Sequence, residues 1–276
     1  MNETLKRAIS GAVYILLLII SIICSAESFF ILFGLFLLIA VFEFCELVHI
    51  NKTLPGIVAV LMYGSVTYLE SQDIHLSKNF DYTLLGATLL ISFRSIYFLF
   101  DNKQYKIETI GKYLFLLGYI ILPFIIITKI PFGVKGYNPK IIIGIFILIW
   151  TNDTFAYIVG KSIGKHKLYE KISPKKTIEG FIGGIIFAVI ASYLIATYYI
   201  EGKEIAQFIW LGFALIVGIF GTIGDLIESK FKRIANVKDS GTIMPGHGGV
   251  LDRLDSVIFV APFIFLFYQI LPFIKF

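Results

Sequence analysis

Charge is scarce in this chain. Asp, Glu, Lys and Arg make up 16% of its 276 residues against 57% hydrophobic side chains, and the mean hydropathy is +0.85. That shortage excludes an ordinary soluble globule, in which about a quarter of the residues are charged. Cysteine is nearly missing too. The two present, Cys24 and Cys45, lie in apolar stretches at no metal-ligand spacing. They exclude a disulfide framework and a thiolate metal cluster, and each is expected to be buried and unreactive. No internal repeat and no low-complexity linker breaks the chain. The net charge of +5 does not call for nucleic acid, because basic residues of membrane proteins collect in cytoplasmic loops.

What is abundant is the apolar window long enough to cross ~30 Å of hydrocarbon. Such windows fall near residues 9–26, 28–48, 54–70, 83–100, 113–128, 139–160, 178–200, 205–226 and 251–272. The expected fold is all-α: a polytopic integral membrane protein of about nine transmembrane helices. Lys6-Arg7 and the apolar run up to Cys24-Ser25-Ala26 resemble a secretory signal. Further spans follow without pause, so the segment reads as a retained signal anchor. The fifth span is short and carries Pro123, which predicts a kink or a part-way crossing. Phe and Tyr are expected at lipid-facing and belt positions rather than as ligands.

Nine spans place the termini on opposite sides. Seventeen basic residues then gather on one side, including Lys6, Arg7, the six lysines from Lys161 to Lys176 and the five basic residues from Lys230 to Arg253; six face the other. The positive-inside rule puts the N-terminus and loops 161–177 and 226–250 in the cytoplasm and the C-terminus outside. The expected location is the cell (inner) membrane, with the polar loops facing the cytoplasm. The chain divides into a scaffold over 1–138, with a homodimer contact left open, and a region over 139–276 that carries the two polar loops and the chemistry.

The stretch from Asp225 to Ser256 holds most of the reactive side chains. Asp252 and Asp255 are three apart, so on a helix they share one face with Cβ atoms about 5–6 Å apart. Arg253 points elsewhere. Acids at a helix start are also favoured by the helix dipole alone, but ionisable groups entering a membrane span are functional by default. Asp225 ends the preceding span after Gly221 and Gly224, small residues that admit a close neighbour. These three aspartates are the expected ligands of one divalent metal, and hard carboxylates suit Mg²⁺.

Gly246, Gly248 and Gly249 can offer backbone N–H groups to a phosphate. His247 between them has three open readings: general acid, phosphate donor or turn residue. In the second loop Ser173, Lys175, Lys176 and Thr177 form a compact donor cluster at a helix start, followed by Glu179. Asn152-Asp153-Thr154 is a polar trio inside a span. Arg94, Glu43 and Glu46 are either interfacial or paired inside the bundle, and both readings stay open.

These blocks resemble the phosphatidate cytidylyltransferases (CDP-diacylglycerol synthases). The resemblance rests on Ser229, Lys232-Arg233, Lys238-Asp239, Gly241, Pro245-Gly246-His247-Gly248-Gly249, Asp252-Arg253 and Asp255, with Asp225 and Glu228 in the lead-in. Asp153-Thr154 and Ile172 to Gly180 match the upstream blocks. It covers about the C-terminal half. Met244 stands where leucine is usual, and Lys161 where arginine is frequent; a lysine there is a point charge rather than a bidentate phosphate contact.

The resemblance implies that CTP and phosphatidate give CDP-diacylglycerol and pyrophosphate with Mg²⁺; a second cation, monovalent or divalent, is left open. It implies catalytic roles for Asp225, Asp252, Asp255, Lys238 and Asp239. Substrate binding falls to Asp153, Ser173, Lys175, Lys176, Thr177, Glu179, Ser229, Lys232, Arg233, Gly246, His247, Gly248, Gly249 and Arg253. The nucleophile would be an already ionised phosphate, which makes His247 a binder rather than a base. An ion-coupled transporter accounts for the intramembrane aspartates but not for the lysines with the glycine turn. A CTP-dependent lipid kinase is the enzyme alternative.

Overall fold

In hydrocarbon every backbone N–H and C=O must find its partner within the protein, so a long apolar segment folds as a helix. A computed structural model describes residues 3–271 apart from 73, 75, 102–106, 134, 135, 201–203, 245 and 247. Among these it contains nine long helices. They are α1 (Glu3–Cys24), α2 (Ala26–Val48), α3 (Thr53–Ser71), α4 (Lys78–Phe100) and α5 (Thr109–Lys129). After them come α6 (Pro139–Ile163), α7 (Ile178–Tyr199), α8 (Ile205–Ile234) and α9 (Leu251–Ile270). Each falls on one of the expected spans. Eight are long and apolar enough to cross a membrane; α3, 19 residues long, is less apolar. Two small antiparallel hairpins are also described, β1 (Phe132–Gly133) with β2 (Gly136–Tyr137) and β3 (Lys167–Tyr169) with β4 (Ser173–Thr177).

Local chemistry sets the helix boundaries. Ser25 and Ser28 form a reciprocal capping box at the start of α2, and Ser28 also exchanges hydrogen bonds with Ser21 of α1 (2.6 and 2.8 Å). Pro139 opens α6, where its missing N–H would be unpaired in any case, and the Asn138 side chain accepts from Lys140 N. Pro123 is preceded by a π-helical turn, Leu116–Ile121, that accommodates the lost bond. Helix α5 runs 21 residues, long and apolar enough to cross a membrane.

The largest departure from expectation is at α8. The apolar pattern ends near 226, yet the helix continues to Ile234, and the polar connection begins only after it. Glu228, Ser229 and Lys230 are buried. The reason is tertiary: Lys230 Nζ donates to the backbone oxygens of Phe98, Leu99 (3.3 Å) and Asp101 (2.8 Å), carbonyls at the end of α4. Phe231 beside it packs on Phe44 of α2 (5.0 Å between ring centroids), Phe98 of α4 (5.0 Å) and Phe115 of α5 (5.3 Å). Many aromatic residues expected to face lipid thus form the core. Cys45 is buried as expected, but Cys24 is exposed at the end of α1.

Alternation of the helices brings the C-terminal ends of α2, α4, α6 and α8 to the same end of the bundle as the starts of α5, α7 and α9. Tyr169 in β3 donates to Leu99 O at that end (3.1 Å). At the opposite end Lys129 of α5 is clamped between Glu70 of α3 (2.7 Å) and Asp81 of α4 (3.0 Å).

Candidate active site

Close approach of α8 and α9 builds the centre of the site. A Cβ on Gly224 would stand 2.6 Å from Phe259 Cβ and 2.9 Å from Asp255 O, so only glycine allows this contact. It places Asp225 of α8 beside Asp255 of α9. Glu228, one turn beyond Asp225 on the same face, joins them. Asp225, Glu228 and Asp255 each bring a carboxylate oxygen into a group spanning no more than 4.8 Å.

Asp252, expected beside Asp225 and Asp255, is not in that group. Its Oδ1 lies 2.6 Å from Lys232 Nζ. Its Oδ2 accepts from Ser240 N (2.8 Å), Ser240 Oγ (2.9 Å) and Gly249 N (2.8 Å). Asp252 stands in the first turn of α9, where the connection from α8 folds back over it, and the backbone donors of that connection capture its carboxylate. Lys232 links it to the cluster by also contacting Glu228 Oε2.

Charge around the cluster is only partly balanced. Lys176 Nζ lies 2.5 Å from Asp225 Oδ2, and Ser229 Oγ donates to Asp225 Oδ1 (3.2 Å). Glu228 Oε1 is buried and has no hydrogen-bond partner among the described residues. A buried carboxylate oxygen without a donor is costly. Beside two further carboxylates it forms a set of hard oxygen donors that fits a divalent cation such as Mg²⁺. Asp153, exposed on α6, lies within electrostatic reach of Asp225, Lys176 and Arg253.

The second loop folds as the β3–β4 hairpin, with Lys167 opposite Thr177 and Tyr169 opposite Ser173. Two of its expected site residues have structural duties. Thr177 caps α7 by accepting from Gly180 N (3.1 Å). Glu179 accepts from Lys165 N (3.1 Å) and His166 N (3.2 Å) and pairs with His166 Nδ1 (2.6 Å), closing the turn after α6. Lys175 is exposed, Ser173 is half-buried, and Lys176 reaches across to Asp225. Arg233 joins the loops by donating to Ile172 O (3.3 Å) and Val237 O (3.2 Å).

The glycine turn expected to cradle a phosphate is described in part. Gly246 and Gly248 have φ of 78° and 85°, the left-handed region that suits glycine, and Met244 N donates to Gly248 O (2.9 Å). The Gly249 N–H, however, is taken by Asp252. The next two, of Val250 and Leu251, are taken by Glu43 of α2 (3.0 and 2.8 Å). His247 and Pro245 lie outside the described residues. Lys238, Asp239 and Arg253 are exposed.

The model of the cytidylyltransferase family matches residues 5–271. The chain belongs to this family. A relative from Bacillus subtilis (strain 168) named phosphatidate cytidylyltransferase is 31% identical over 272 residues, 96% of this chain and 97% of that protein. One from Staphylococcus saprophyticus with the same name is 34% identical over 229 residues, 82% of this chain and 85% of the relative. In Staphylococcus aureus (strain COL) a protein of that name is 53% identical over 117 residues, and the match spans only 44% of its length.

In this member of the family, then, Asp225, Asp255, Lys176, Ser229 and Lys232 converge as a group, with Asp252 at its edge. Reading the residues alone missed two participants. Glu228 was visible only as part of a motif, because its burial depends on α8 continuing. Glu43 stood out as an acid in a span, but its partners lie some 207 residues away. Arg7 of α1 also lies close over the turn, with its Cγ 2.6 Å from where a Cβ on Gly246 would stand.

Proposed function

We propose that the protein transfers the cytidylyl group of CTP to phosphatidate, giving CDP-diacylglycerol and pyrophosphate. The observation that carries this reading is the convergence of Asp225, Glu228 and Asp255 with Lys176 and Lys232 at one end of the helix bundle. Membership of the cytidylyltransferase family and the names of the relatives support the choice of substrates.

In the reaction a phosphate oxygen of phosphatidate bonds to the α-phosphorus of CTP. The bond from that phosphorus to the bridging oxygen breaks, and pyrophosphate leaves with the electron pair. The attacking phosphate is already ionised, so no strong base is required. The difficulty is electrostatic: two polyanions must meet. Asp225, Glu228 and Asp255 would hold a divalent cation, which when bound supplies positive charge against the phosphates. Lys176 and Lys232 stand at its rim, and Lys175, Arg253 and Lys238 extend the basic surface toward solvent. Such groups act by positioning and by stabilising charge. Asp252 keeps the connection before α9 folded beneath them.

The site end of the bundle faces the cytoplasm on this reading, where nucleotides are supplied and where the positive-inside rule places its lysines. The N-terminal helices serve chiefly as the scaffold and the C-terminal half carries the chemistry. The test is purified full-length protein with labelled CTP and phosphatidate. Labelled CDP-diacylglycerol with stoichiometric pyrophosphate is expected. CDP with a phosphorylated lipid would move the protein to the kinases, and cation flux without turnover would move it to the transporters.

A further inference from the structure

Helix α9 begins without a cap of its own. Its N-cap position is Val250, already helical at φ −68° and ψ −36°, with no side-chain cap bond. The first turn of any helix leaves backbone N–H groups without partners. Here they are satisfied from another helix. Glu43 Oε1 accepts from Val250 N (3.0 Å) and Oε2 from Leu251 N (2.8 Å), with Ser240 Oγ 3.2 Å from Oε2. Glu43 is only 4% exposed, so its charge is stabilised by these donors and by the positive end of α9.

The chain around this carboxylate leaves it no slack. A Cβ on Gly241 or Gly249 would come within 2.4 Å of a Glu43 oxygen. Ser240 Oγ lies within reach of both Glu43 (3.2 Å) and Asp252 (2.9 Å). The same few residues therefore connect α2, the connection before α9 and the acidic turn of α9. Asp252 is the next residue after Leu251, and Asp255 follows one turn later, facing Asp225 and Glu228 across α8.

We propose that Glu43 is a positioning residue for the acidic centre: by holding the first N–H groups of α9, it fixes where Asp252 and Asp255 stand relative to Asp225 and Glu228. It acts through α9 and touches neither substrate nor cation. This rests on the cytidylyltransferase reading above for its kinetic consequence, though not for the structural tie. Misplacement by about 1 Å lowers turnover on the order of 100-fold, so the tie reaches the chemistry without being part of it.

The test uses full-length protein in lipid nanodiscs as wild type, Glu43→Gln and Glu43→Ala. Glu43→Gln keeps the shape but turns an N–H donor toward a backbone N–H. It is expected to retain the wild-type size-exclusion profile. Its kcat should fall about 10- to 100-fold, its KM for CTP should stay near wild type, and more Mg²⁺ should be needed for half-maximal turnover. Amide exchange should quicken at residues 249–251 and stay unchanged in the middle of α2. Glu43→Ala should show the same pattern more strongly; if it does not fold, Glu43→Gln alone decides. Unchanged kcat and Mg²⁺ requirement in Glu43→Gln would overturn the proposal, as would a loss of turnover that only follows the loss of folded protein. A wild type without turnover would instead defeat the reaction reading. The exchange measurement would then decide the tie, and unchanged exchange at 250–251 would overturn it.

Discussion

Lys232 Nζ lies 2.6 Å from Asp252 Oδ1 and touches Glu228 Oε2, so one ammonium joins a carboxylate of α9 to one of α8. Removing it leaves two acids facing each other with little water between them. Lys232→Met is expected to lower turnover by about 100-fold or more and to lower the melting temperature, because a partly buried ion pair broken on one side leaves uncompensated charge. Turnover and thermal unfolding measured on the same preparation check this, and normal values for both would remove Lys232 from the centre.

The acidic residues should separate into two kinds. Asp225→Asn, Glu228→Gln and Asp255→Asn each remove an oxygen charge from the group spanning 4.8 Å. Each should cut turnover by about 100- to 1,000-fold and raise the Mg²⁺ concentration needed. Asp252→Asn loosens the connection held by Ser240 and Gly249. It should reduce turnover with a smaller change in Mg²⁺ requirement. Turnover titrated against Mg²⁺ for the four variants distinguishes them. A Glu228→Gln protein with ordinary Mg²⁺ dependence would return Glu228 to a purely structural role.

Two neighbouring lysines make a matched comparison. Lys176 pairs with Asp225 at 2.5 Å, whereas Lys175 is exposed beside it. Lys176→Ala should impair kcat severely, and Lys175→Ala should mainly raise the KM for an anionic substrate by a few-fold. Steady-state kinetics with CTP and with phosphatidate varied in turn provide the check; equal effects of the two substitutions would contradict the geometry.

The proposed orientation rests on charge. A single cysteine at Ser173 or Lys238 should resist a membrane-impermeant maleimide in intact cells and react after permeabilisation. Rapid labelling of Ser173→Cys in intact cells would place the site outside, away from its nucleotide supply.

The helices were readable from the sequence because hydropathy reports what lipid demands of a segment; all nine fall on expected spans, and most of their ends lie within a few residues of expectation. Hydropathy failed where protein replaces lipid as the surroundings. At 226 the apolar pattern stops, but Glu228, Ser229 and Lys230 enter the interior, and Lys230 meets the carbonyls ending α4. Asp225 and Asp255 were legible because helical spacing and a glycine contact bring them together. The separation of Asp252 from them was not, because it depends on backbone donors of Ser240 and Gly249 whose direction no side-chain pattern encodes. The same limit hid Glu43, whose partners are backbone groups distant in sequence.

The bond from Glu43 to Leu251 has a consequence for biogenesis. The two residues are 208 apart along the chain, and at a synthesis rate of about 5–20 residues per second the second leaves the ribosome roughly 10–40 s after the first. During that delay the nascent chain carries an acidic side chain near the edge of the bilayer without the donors that will hold it. Only when α9 is inserted does that acid receive its partners. A partly synthesised chain therefore has no functioning centre, and the newly made protein becomes competent with the arrival of α9.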